Sequence, residues 1–216
     1  MSLLDLITGS TGNQVAEQAE NKFGISKTQI IGLLVVAAPL VISYLKKKSE
    51  NTDEAEKLNA TLDKHHDGSI LNNPAQALER GQEGDSILSH IFGGEKANVE
   101  NQLSQNTGIS MDKIGPILAM LAPVIMGYIG QQKQANGVTS GGGLGDLLGG
   151  ILGNSAQESQ ASNNPLSDIL GSVIGGATQS QGGGLGDILG SVLGGGNQQQ
   201  SQQGGLGGLL GGLFGK

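Results

Sequence analysis

Cysteine is absent from the 216-residue sequence, which excludes disulfides, thiolate nucleophiles and cysteine-ligated zinc or iron–sulfur sites. Positive charge is scarce: twelve lysines and arginines face nineteen aspartates and glutamates, for a formal net charge of −7. A nucleic-acid partner would require a basic face, so that class of partner is excluded. The one basic run, Lys46-Lys47-Lys48, has no adjacent aromatic suited to base stacking. It reads as the cationic end of a helix, where lysines complement the macrodipole.

Catalytic signatures are missing as well. There is no G-x-S-x-G elbow and no P-loop, and "GGGLGD" is not a dinucleotide fingerprint because no predicted strand precedes it. The expectation is a protein that is not an enzyme, with no cofactor and no small-molecule substrate. The stretch "MSLLDLITG" has neither a basic n-region nor a cleavable apolar segment, so a bacterial-type cytoplasm is the expected location.

What the chain does have is an internal repeat. Residues 1–45 align with 85–129 at a constant offset of 84, and fourteen of the 45 pairs are identical, among them Gly24/Gly108, Ser26/Ser110, Pro39/Pro123 and Tyr44/Tyr128. Chance would give about three such pairs at random composition, so the pattern reads as a duplication. Each copy predicts three helices. A short apolar one (3–8; 86–92) stops at Gly9 or Gly93, and a polar amphipathic one (12–22; 95–106) ends before Gly24 or Gly108. A long apolar helix then starts at Ser26 or Ser110, with Ser26 and Gln29 suggesting a capping box, and runs to about Lys48 or Gln132. Pro39 and Pro123 fall inside it and should bend it.

The apolar run "IIGLLVVAAPLVISYL" has sixteen residues, short of the roughly 20 that a bilayer demands. The reading preferred over membrane insertion is that the two long helices form the centre of a pseudo-twofold bundle, each burying the other. Between the copies, "TDEAEKLNATLDK" (52–64) predicts an amphipathic helix with Thr52 as N-cap, and Asn73-Pro74 opens a further short helix.

The connector holds the one candidate for chemistry, "DKHHDGSILNN". Asp63, His65 and Asp67 alternate and Gly68 takes the sixth position, which echoes a calcium-binding loop. His65 supplies nitrogen where calcium wants oxygen, and Pro74 stands where the bidentate glutamate belongs, so an EF-hand is excluded. A weak metal site at Asp63, His65 and Asp67 competes with the plainer reading of a polar turn, which is favoured.

Glycine is concentrated in the last third: 26 of the 39 glycines follow residue 136. Four units, at 141–154, 164–177, 182–195 and 204–216, repeat within this Gly/Leu/Gln-rich segment, separated by Gln/Ser/Asn spacers. Their small residues fall every fourth position, as in Gly145, Gly149 and Gly153, and would form one stripe on a helix. Such small-xxx-small spacing permits close approach of two backbones. The aliphatics beside the stripe are the candidate interaction residues: Leu144, Leu147 and Leu148; Leu166, Ile169 and Leu170; Leu185, Ile188 and Leu189; Leu206, Leu209 and Leu210.

Each interior glycine costs roughly 1 kcal/mol against alanine, and so short a helix is marginal alone. Burial of five aliphatics could return roughly 1.5–3 kcal/mol apiece, so order should come with docking. The partner is the chain's own bundle or another copy of it, a membrane surface, or nothing specific if the segment is a low-complexity linker.

"GDSILSHIFGGEKANVENQLSQNTGIS", "ILAMLAPVIMGYIG", "HDGSIL" and the Gly/Leu units ending "LGGLFGK" together resemble the bacterial DUF937 family, which includes the YidB-like proteins. The resemblance spans about 1–133 and implies an all-helical cytoplasmic protein with no assigned activity and no catalytic residues to carry over.

The expected architecture is all-α: repeat A (1–50), a helical connector with the HDGS turn (51–84), repeat B (85–133) and a flexible Gly/Leu tail of short helices (134–216). The expected role is structural or interactive, by self-association through the Gly/Leu helices. A peripheral membrane protein and a metal-responsive module at 63–67 are the alternatives.

Overall fold

The computed structural model describes residues 1–161, which fold into eight α-helices and four short 3₁₀ turns, with no strand among the described residues. The helices are α1 (Leu3–Thr8), α2 (Ser10–Phe23), α3 (Lys27–Ser49), α4 (Thr52–His65), α5 (Gly81–Phe92), α6 (Lys96–Thr107), α7 (Met111–Ala135) and α8 (Leu144–Ala161). The described residues are therefore all-helical, as their periodicity demands.

Two of these helices, α3 and α7, carry the core. Every residue from Leu33 to Ser43 and from Ile117 to Gly130 is buried, because these stretches are apolar on all sides and the other helices surround them. Around them, α2 turns in Val15, Ala16 and Ala19, and α6 turns in Val99 and Leu103. Both amphipathic helices stop at a left-handed glycine, Gly24 (φ 64°) or Gly108 (φ 68°), as their sequences signal. Against α7, α5 packs at close range: a Cβ on Gly84 would lie 1.6 Å from the Ala119 carbonyl oxygen.

Several boundaries differ from expectation. The core helices keep their expected starts after Ser26 and Ser110; α3 ends at Ser49, next to the expected Lys48, and α7 runs on to Ala135 rather than Gln132, so that at 23 and 25 residues both exceed their apolar runs. By length and composition both could cross a membrane, and in this bundle 72% and 83% of their apolar windows are buried by protein. Both run on through their internal prolines.

Helix starts and caps differ as well. α5 starts at Gly81 rather than 86, and α2 at Ser10 rather than 12. Asn51, not Thr52, caps α4: its side chain accepts from the amides of Asp53 and Glu54. Pro74–Leu78 is a 3₁₀ turn without a side-chain cap from Asn73. The Ser26 hydroxyl accepts from the Gln29 amide but meets the Gln29 side chain itself, so the reciprocal half of the box is not made; the full capping box is at Ser2 and Asp5.

Candidate functional site

Residues 134–161 are not a free tail. The chain turns at Gly137 (φ 65°), and the Asn59 side-chain amide donates to the Thr139 carbonyl at 3.3 Å. The Gly141 amide then donates to Glu56 Oε1 at 3.0 Å. Only glycine fits at 141, since a Cβ there would stand 2.6 Å from Ala55 C and Glu56 N. From this anchor α8 lies along α3 and touches α1, α4 and α7. Leu144 and Leu148 are wholly buried and Ile151 is 7% exposed, while Leu147 and Leu152 are half-buried. Of the candidate interaction residues, then, Leu144, Leu147 and Leu148 sit on the protein's own bundle. The other nine, Leu166 to Leu210, lie outside the described residues.

The glycine stripe of α8 does less packing than its spacing suggests. A Cβ on Gly145 would meet the flexible Ser49 hydroxyl at 3.3 Å, and one on Gly149 would meet Lys46 Cε at 3.5 Å, an ordinary contact. Gly150 and Gly153 face open space. Beyond Gly141, close backbone approach is not the reason for glycine in this helix. What glycine does there is lower the helix's intrinsic stability, so that α8 depends on its three buried aliphatics.

On the other core helix, the corresponding end of α7 is covered by the connector turn. The Asp67 side chain accepts from the Ser69 amide at 3.0 Å, Gly68 adopts φ 92°, and a 3₁₀ turn, Ser69–Asn72, follows. That turn seats on glycines of α7. A Cβ on Gly130 would lie 1.7 Å from the His66 carbonyl oxygen, and one on Gly127 would lie 2.5 Å from Ile70 Cγ2. Gln134 Nε2 donates to the Asp67 carbonyl at 3.1 Å.

The turn does not gather metal ligands. The Asp63 carboxylate is engaged by the buried Lys133 ammonium, Asp67 is spent on capping Ser69, and His65 points into solvent. Among the described residues no group of three or more His, Asp or Glu side chains could hold a metal ion. The alternation of Asp63, His65 and Asp67 marks a helix end and an Asx turn instead. Lys133 escaped sequence reasoning because it is seventy residues from Asp63 with no local periodicity linking them.

The buried member of the pair of histidines is His66, whose Nδ1 has no hydrogen-bond partner and whose Nε2 is 3.6 Å from Glu83 Oε1. Burial holds its pKa below the usual 6.5, against the upward pull of the Glu83 carboxylate. The unfolded chain therefore takes up this proton first as pH falls, so the stability from neutral His66 is complete above about 6.5 and lost below it. Urea midpoints should decline between about pH 7 and 5, and His66→Gln should flatten that decline. Parallel profiles for the two proteins would refute a neutral, buried His66. Downward shifts in Glu54, from Lys57, and in Asp67, from Ser69, belong to exposed carboxylates and have no such reach.

One open groove of about 740 Å³ separates α2, α5, α6 and the start of α7, lined by Phe23, Met111 and Pro116 with charged rims. Its cations are occupied: Lys22 donates to the Leu78 carbonyl, and Lys96 pairs with Asp85. Outside this groove, His90 lies 3.5 Å from Glu54, with most of its side chain in solvent.

The class defined by this fold is an all-helical bundle around two apolar helices whose exposed ends are sheathed by a glycine-rich helix and a polar turn. The chain belongs to the DUF937 family of bacterial proteins of unknown function, whose pattern it matches over residues 5–132. The matched stretch takes in the HDGS turn, α3 and all but the last three residues of α7, and ends short of α8. No curated protein and no solved structure matches the chain.

Proposed function

We propose that this protein is a non-enzymatic, cytoplasmic interaction protein, built from two tandem helical repeats, that self-associates through its Gly/Leu units. The observation that carries this reading is the seating of the first unit: 144–153 is a helix whose aliphatic face is buried on the protein's own bundle. Three further units of the same pattern follow it in the sequence, so the docking pattern occurs more often than the one unit already seated. Supporting the tandem repeats, α5–α7 run in the order of α1–α3 with left-handed glycines at matching positions 24 and 108.

The test is deletion of 162–216, which leaves α8 in place. By light scattering the full chain should show a mass that rises with concentration, and the deletion variant should remain a monomer. Equal masses would overturn self-association. Sedimentation of the full chain alone with lipid vesicles would replace it by membrane association through the same units.

A further inference from the structure

Resting on that reading, we infer that the seat of α8 on α3 is an exchangeable receptor whose second occupant is the 182–195 unit of another copy of this chain. The seat selects by shape. It buries aliphatics at 144, 148 and 151, and no ion pair joins Leu144–Asn154 to the bundle among the described residues. All three later units supply aliphatics in that register: Leu166, Leu170 and Val173; Leu185, Leu189 and Val192; Leu206, Leu210 and Leu213.

What separates the units is the anchor. In the seated unit Gly141 lies so close to the α4 backbone that any side chain there would collide with Ala55 and Glu56. The residues in that register are Asn163, Gly182 and Gln203, so only the third unit carries the glycine. It is also the nearest in sequence, identical at ten of the fourteen positions of 141–154, with Leu147→Ile, Gly150→Ser, Ile151→Val and Asn154→Gly as the differences.

The occupant comes from a second copy because exchange within one chain only trades one seated helix for another. Exchange between chains keeps an aliphatic at each buried position and glycine at the anchor, and adds a link. The glycines of α8 favour this: Gly145, Gly149, Gly150 and Gly153 make no close backbone approach that requires glycine, and they keep the helix easy to unseat.

Three variants of the full chain test the inference. Ser49→Cys with Gly145→Cys introduces the protein's only cysteines where a Cβ at 145 stands 3.3 Å from the Ser49 oxygen, a spacing that suits a disulfide. Oxidised, this protein should be monomeric by light scattering, and reduction should restore assembly. Gly182→Val should lower the assembled mass to that of the 162–216 deletion, while Gly204→Val should leave it unchanged. If the deletion lowers the mass but neither oxidation nor Gly182→Val does, self-association stands and this receptor is overturned. If the deletion has no effect, both fall.

Discussion

Alanine at Gly130 should destabilise the bundle by about 3 kcal/mol, whereas alanine at Gly32 should stabilise it by up to about 1 kcal/mol. Both glycines lie within core helices, and helix propensity alone favours alanine at each. At Gly32 the new methyl meets nothing within 4 Å, so the propensity gain survives. At Gly130 the methyl would stand 1.7 Å from the His66 carbonyl oxygen and 2.9 Å from its carbon.

The colliding atoms are backbone, and the backbone cannot simply drift. Gly68 is held at a left-handed φ, the Asp67 side chain is bonded to Ser69, and Gln134 holds the Asp67 carbonyl. Relief therefore means lifting the turn off α7, with loss of Ile70 from the core. Urea denaturation followed by circular dichroism measures both variants. A Gly130→Ala protein within about 0.5 kcal/mol of the parent, the scatter of a neutral surface change, would show that the turn does not lie against α7.

The fold was legible where one residue type meets one physical demand. Apolar runs with no polar face had to be central, and Gly24 and Gly108 had to end helices, because both properties are local. The site was less legible. "DKHHDG" was informative about a turn but silent about Lys133, which consumes Asp63 from another helix, and about which histidine is buried. The Gly/Leu unit at 141–154 looked like its three siblings, and nothing in its composition reports that it seats on the bundle. What the structure adds is the reason for Gly141, whose necessity arises from the α4 backbone beside it. A contact of that kind joins segments 85 residues apart, and no periodicity reports it.

Replacing Leu148 with aspartate should unseat α8 and leave the rest of the bundle folded. Leu148 is fully buried in the hydrophobic core between Leu144 and Ile151, and a carboxylate there would be stripped of water. The damage is nevertheless bounded. Burial of Leu144, Leu148 and Ile151 returns about 1.5–3 kcal/mol each, and the interior glycines withdraw roughly 1 kcal/mol apiece, so α8 is held by only a few kcal/mol. Aspartate exceeds that margin, and local release becomes cheaper than burying the charge. Far-ultraviolet circular dichroism should lose the signal of one helix, while urea unfolding keeps a single cooperative transition. A protein that fails to fold at all would show instead that α8 belongs to the cooperative core and cannot exchange. The same substitution in the full chain should raise the assembled mass, because an emptied seat admits the 182–195 unit without competition. A disulfide that traps α8 and an aspartate that expels it should thus drive assembly in opposite directions, which a merely structural α8 would not do.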